Sequence, residues 1–177
     1  GLDLRYNLSS SATLNMTFNP DFGQVEADPS VLNLSAFETR LEEKRPFFVQ
    51  GASFFNSWLR LFNSRRIGRR PNFNEPSSGD IIDQPNETTI LSAAKVLGQT
   101  TSGIKYGFIN AITSEEYGTR EFELNGRINT DRYLIEPYSN YFVGRFTKPV
   151  VNELSTIGFM ATDVRRNGHS NTASSIK

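Results

Sequence analysis

Two stretches near the start, LDLRYNLS at residues 2–9 and ATLNMTF at residues 12–18, decide the fold class. Leu2, Leu4, Tyr6 and Leu8 alternate with Asp3, Arg5 and Asn7, and Ala12, Leu14, Met16 and Phe18 alternate with Thr13, Asn15 and Thr17. Apolar residues at every second position mark strands with one apolar face, and Ser9-Ser10-Ser11 between them supplies a turn. The segment therefore predicts a hairpin with one apolar and one polar side. Water beside the polar side suits two architectures, a sandwich with one solvated sheet face and a barrel with a wet interior.

Similar runs return at Ile90 to Leu97, Gly103 to Ile112, Tyr133 to Glu136, Asn140 to Phe146 and Leu154 to Val164. They are separated by turn signals at Gly98-Gln-Thr-Thr-Ser-Gly103 and at Asn125-Gly126, where both residues tolerate positive φ and predict a tight ribbon joining Phe122 and Leu124 to Ile128. The Gly98 to Gly103 turn lacks the Lys-Ser/Thr pair that a phosphate-binding loop needs after its last glycine. In the run from Leu154, Ile157, Phe159 and Ala161 form one face. Thr156, Gly158, Met160 and Thr162 form the other, which apart from Met160 suits a lumen. With about seven or eight strand-like runs the chain reads as mainly β and antiparallel.

The middle third breaks this rhythm. Residues 19–43 hold Asp21, Glu26, Asp28, Glu38, Glu42 and Glu43 against Arg40, and residues 44–70 hold Lys44, Arg45, Arg60, Arg65, Arg66, Arg69 and Arg70 with no acid. Adjacent blocks of opposite sign are expected to close on each other, because an arginine left without a carboxylate in a dry interior is costly. The expected structural network joins Asp21, Glu26, Asp28 and Glu38 to Arg65, Arg66 and Arg69. Asp28 as a cap, Pro29 at the first helical position, and Val31, Leu34, Phe37 and Leu41 at helical spacing predict a short helix over 30–41. The aromatic-rich run from Phe47 to Phe62 reads as core or interface. The predicted organisation is one domain over 1–177, with a charged plug-like insertion at 19–70 and a flexible loop at 71–88.

Composition removes several function classes. Nineteen bases balance nineteen acids, so nothing favours a general nucleic-acid binder, and the basic run Arg65 to Arg70 has the acidic block as a nearer partner. No cysteine is present, and a Ser-His-Asp triad or a multi-histidine metal site would have to depend on the lone His169. No cofactor and no metal are expected. No apolar run reaches the roughly 18 to 20 residues of a spanning helix, whereas a spanning strand needs only about 9 to 11. Asp21, Glu26 and Asp28 are weak catalytic candidates, since glycoside cleavage uses two carboxyl groups about 5 to 10 Å apart. The alternating acids of a calcium loop are absent there.

Four strings carry a resemblance: Asn19-Pro-Asp-Phe-Gly-Gln-Val-Glu-Ala-Asp-Pro29, Leu32-Asn-Leu-Ser-Ala-Phe-Glu-Thr39, Glu43-Lys-Arg-Pro-Phe-Phe48 and Ser64-Arg-Arg-Ile-Gly-Arg69. Through them the chain resembles an uncharacterised bacterial family in which a sugar-binding-like module, similar to carbohydrate-binding family 9, precedes a large β-rich domain thought to be an outer-membrane barrel. The resemblance implies an outer-membrane-type β-barrel segment with one short helix in an inward-folded charged loop. It implies outer-membrane lipid as a partner, and carbohydrate through an upstream module that this sequence does not include. Because about eight strands make the smallest closed barrel, the chain is expected to be an N-terminal part of a larger barrel domain. The leading reading is a non-enzymatic barrel segment linked to carbohydrate or nutrient handling at the cell surface. The alternative is a periplasmic or secreted glycosidase-like hydrolase using Asp21, Glu26 and Asp28.

Overall fold

The computed structural model describes residues 1–20, 42–57, 59, 61–74, 79–150, 155–167 and 169–176, the last of these by backbone alone. Strands dominate: β1 (Leu2–Ser9), β2 (Ala12–Phe18), β3 (Asp80–Asp83), β4 (Ile90–Gln99), β5 (Lys105–Thr113), β6 (Glu116–Leu124), β7 (Arg127–Glu136), β8 (Ser139–Val150), β9 (Ser155–Arg166) and β10 (His169–Ile176). Seven of them form one antiparallel sheet in the order β1-β2-β4-β5-β8-β9-β10, and β3-β6-β7 form a second, three-stranded sheet. The mainly β, antiparallel expectation holds. The described residues form an open sheet with β1 and β10 at its edges, not a closed barrel.

Register explains how the two faces arise. Leu4 pairs with Met16 and Tyr6 with Leu14, so the apolar residues of the first hairpin share one side, as the alternation predicts. That side continues through Leu14↔Val96, Val96↔Phe108, Phe108↔Gly144 and Gly144↔Ala161. The opposite side runs through Arg5↔Asn15, Asn15↔Lys95, Lys95↔Ile109, Ile109↔Val143 and Val143↔Thr162. Because the side-chain period is 2, one register fixes every residue of a strand to one side or the other.

The covered side buries polar residues beside apolar ones, and the uncovered side exposes large apolar residues. On the mixed side Asn15, Thr17, Lys95, Thr113 and Ser139 are buried, Asn15 at 7% exposure and Lys95 at 1%. On the apolar side Leu2 is 63% and Ile157 56% exposed, and Leu4, Tyr6, Phe142, Phe146 and Phe159 are exposed with them. We call the covered side inner and the other outer.

The inner side is covered by the described residues between 42 and 74. Here Pro46–Val49 form a one-turn helix, α1, and Ala52–Phe54 and Ser64–Arg66 form single 3-10 turns. Pro46 opens this helix at its first position, where a missing N–H costs nothing. Phe48 and Ile67 pack on Ile90, Ala93, Ala111 and Tyr141, while Phe55 packs on Ile109, Val143 and Met160. Phe48 and Phe55 of the aromatic run are thus core, one of the two roles its composition allows. Ala93, Gly107 and Ala111 keep the wall shallow enough to receive these rings, and a Cβ at Gly107 would lie 2.9 Å from Phe55 Cζ.

Several elements differ from the sequence reading. Strand β3 lies in the stretch read as a flexible loop, paired through Ile81↔Arg120, and β10 arises from a polar run that carries no alternation. The Asn125-Gly126 ribbon is present, with φ of 54° and 72° at the turn, and its strands are longer than their apolar residues indicate. The helix predicted over 30–41 lies outside the described residues.

Candidate functional site

The feature that sets this molecule apart is the junction between the 42–74 segment, here the plug, and the inner wall. Cations hold it together by gripping backbone carbonyls. Lys95 projects from the middle of β4 and donates through Nζ to the Phe47 and Gln50 carbonyl oxygens at the end of α1. The end of a helix leaves such oxygens without intrahelical partners, so one ammonium satisfies two of them while lying 4.7 Å from the centre of the Phe47 ring. Arg145 on β8 donates to the Phe54 carbonyl at 3.4 Å, further along the plug.

A second clasp closes the plug on itself. Arg45 donates to the Ile67 carbonyl at 2.6 Å and the Ser64 carbonyl at 2.7 Å, and its guanidinium lies over the Phe48 ring at 4.4 Å. Glu43 receives Arg45 Nε at 2.8 Å on one oxygen and Nη2 at 2.7 Å on the other, and the second oxygen also accepts from Ser64 Oγ at 2.6 Å. Burial alone would push the Glu43 carboxyl upward, but the bonds from Arg45 and Ser64 outweigh it and hold the group below its ordinary value of 4.5. Glu43 is the last acid of the acidic block and Arg45 the second base of the basic one, and the rest of the acidic block from 21 to 41 lies outside the described residues.

A third junction lies where the plug returns to the sheet. Buried Glu136, at the end of β7, accepts from the Asn72 and Phe73 backbone N–H groups at 3.3 and 3.2 Å. Its other oxygen lies 3.7 Å from Arg166 Nε, and Arg166 stacks 5.2 Å from the Phe73 ring centre. In the small sheet, Arg120 and Asp131 form a two-bond cross-strand pair at 2.7 and 2.9 Å.

Beside the Lys95 anchor the inner wall and the plug leave a groove of about 720 Å³, between Arg5, Asn7, Thr13 and Asn15 on one side and Gln50, Gly51 and Phe54 on the other. Gly51 adopts φ of 72°, a left-handed conformation that favours glycine, and a Cβ there would meet Leu97 Cδ1 at 2.2 Å.

Of the residues singled out from sequence, Asp21, Glu26, Asp28 and Glu38 lie outside the described residues. Arg65 and Arg66 occupy the 3-10 turn, and the carbonyl of Arg69 accepts the Thr88 N–H at 3.0 Å and hydroxyl at 2.7 Å. Sequence reasoning missed Lys95, Arg145 and Glu136. A usable signal existed for Lys95: it shares a parity with Ala93 and Leu97, so a charge stands in the inward row of a strand. Among the described residues no three acidic, histidine or cysteine side chains converge on a metal-sized space.

The sequence model of the family described as Domain of unknown function (DUF5916) matches residues 1–176. No curated protein matches the chain, and no solved structure does.

Proposed function

We propose that this chain, which belongs to the DUF5916 family of unknown function, forms part of the wall of an outer-membrane β-barrel with an inward-folded plug, and serves carbohydrate or other nutrient handling at the cell surface without a reaction of its own. The observation that carries the reading is the polarity of the large sheet. Beneath the plug it buries Asn15, Thr17 and Lys95 beside an apolar core, while on its uncovered side Leu2, Leu4, Tyr6, Phe142, Phe146, Ile157 and Phe159 are exposed. Each half-exposed Leu, Ile or Phe would gain about 1 kcal/mol on leaving water, and hydrocarbon supplies that along the whole face. Strands β4, β8 and β9 have 10, 12 and 12 residues. At about 3.4 Å per residue and a tilt of about 40°, such strands rise about 26 to 31 Å, close to the apolar band of roughly 25 Å on barrels of this class.

Two further features support the reading. The outward polar groups Asn140, Asp163 and Arg165 gather at one end of β8 and β9, where Arg165 donates to Asp163 at 2.8 Å, as a boundary with water would select. Connections also differ by end. Residues 10–11 and 100–104 make short turns at one end, and the links over 19–89 and 114–138 lie at the other, with 167–168 as a short exception. Barrels of this class have short periplasmic turns and long external loops, and by that rule the Thr113 and Ser139 end would be the external one. Strands added at the β1 and β10 edges would satisfy backbone groups that an open sheet leaves exposed. Flotation of the full chain with phospholipid vesicles tests the reading: migration with the lipid is expected, and a soluble monomer that stays behind would contradict it.

A further inference from the structure

The groove beside the Lys95 anchor has a lining whose chemistry selects a ligand. Its volume of about 720 Å³ falls within the roughly 300 to 1,000 Å³ of small-molecule sites. Among the described residues Arg5 is the single charged member of the lining, and no carboxylate stands beside it. Register places Arg5 directly opposite Asn15 and Asn7 opposite Thr13, so the wall presents a two-by-two patch of polar side chains on one face. From the other side the plug contributes the Gln50 amide, and Gln99 closes one end. Among the described residues the side chains of Arg5, Asn15, Gln50 and Gln99 make no hydrogen bond, so their donors and acceptors remain open to a solute. Phe54 and Leu97 add an apolar surface to the same space.

We propose that this groove binds a small polyhydroxylated carboxylate, of the class of sugar acids. The guanidinium takes the carboxylate, since a planar fork matches its two oxygens. The amides and hydroxyls match ring hydroxyls, because each of those both donates and accepts. Phe54 covers the C–H face of the ring. Neutral sugars would use all of these contacts except the one at Arg5, and a cation would meet like charge. The proposal concerns the inner side of the sheet alone and stands independently of what covers the outer side.

The test is isothermal titration of the full chain, held in detergent, with digalacturonate, with a neutral galactose disaccharide and with acetate. Saturable binding of digalacturonate is expected, with the neutral disaccharide and acetate each weaker by about tenfold or more, the worth of one charge-assisted contact. Arg5→Gln should bring digalacturonate down to the level of the neutral sugar, and Gln50→Ala should weaken both sugars together. Arg5 lies exposed on an edge strand, so Arg5→Gln should melt as the wild type does. Equal binding of charged and neutral sugars, binding unaffected by Arg5→Gln, or no saturable binding at all would each overturn the proposal. Vesicle flotation reads a different property, so a failure here leaves the barrel reading standing and the reverse also holds.

Discussion

Replacing Glu43 by Gln should release the plug without unfolding the sheet. The carboxylate accepts two bonds on one oxygen, from Arg45 N at 3.0 Å and Nε at 2.8 Å, and two on the other, from Arg45 Nη2 at 2.7 Å and Ser64 Oγ at 2.6 Å. An amide keeps the first oxygen, but its NH2 group faces Nη2, a donor meeting a donor. Arg45, a buried cation, would then lose the Glu43 carboxylate that pairs with it. Removing one partner of such a pair costs about 3 to 5 kcal/mol, and the Ile67 and Ser64 carbonyls, which still hold Arg45, bring the figure to about 3 kcal/mol. Wall contacts of β4, β5 and β8 are untouched, so the loss falls on local opening of the plug. Amide hydrogen exchange of residues 45–67 reads that opening directly, and about 3 kcal/mol corresponds to exchange about a hundredfold faster. Exchange within threefold of wild type across those residues would refute the reasoning. Global melting is the poorer readout, since a sheet held together by its own ladders reports little of a clasp above it.

Acid should act on the same clasp. The folded-state pKa of Glu43 lies below its ordinary value of 4.5, so its contribution is complete above that value and is lost as pH falls through the lower folded-state value. Plug exchange measured against pH should therefore accelerate below 4.5 in wild type, with that step missing in Glu43→Gln. Lys95→Met should strip the donor from the Phe47 and Gln50 carbonyls, costing about 2 kcal/mol. Faster exchange confined to residues 47–55 would show it, and an unchanged pattern would disprove the anchor. Gly107→Val should drive a branched side chain into Phe55 at an overpacking cost of about 1 to 3 kcal/mol, seen as earlier proteolytic cutting in the plug with far-ultraviolet circular dichroism unchanged.

The large sheet was legible in the sequence because alternation is a local signal. Leu2 to Phe18 states its own register, and Asn125-Gly126 states its own turn. Which side faces inward was not legible. A strand with one apolar and one polar face reads identically whether water or lipid meets the apolar side, and only the covering segment, seated over Lys95 and Ala93, decides it. Strand β3, four residues reading Asp-Ile-Ile-Asp, is too short for a period, and the β10 sequence His-Ser-Asn-Thr-Ala-Ser-Ser-Ile has no apolar alternation, so both depend on a neighbour's ladder. The clasps escaped notice for a related reason. Lys95, Arg145 and Glu136 bond to main-chain groups at Phe47, Gln50, Phe54, Asn72 and Phe73, and a backbone carbonyl or N–H has no residue type to betray it. Charge blocks were visible as composition, but the Glu43–Arg45 pair lies at their shared border, where blocks compared as wholes show least.

The central claim, that the exposed apolar face meets lipid and the polar face meets the plug and a wet interior, is tested most directly by labelling. Since the chain contains no cysteine, a thiol introduced at one position carries the whole signal. An environment-sensitive fluorophore placed in turn at Leu4, Phe142 and Ile157, and at Asn7, Thr13 and Thr147 on the other side, would be read in the vesicle-reconstituted protein with a lipid-borne quencher and with aqueous iodide. The account predicts lipid quenching at the first three positions and iodide quenching at the second three. Iodide quenching at Leu4, Phe142 and Ile157 with no response to the lipid quencher would contradict it.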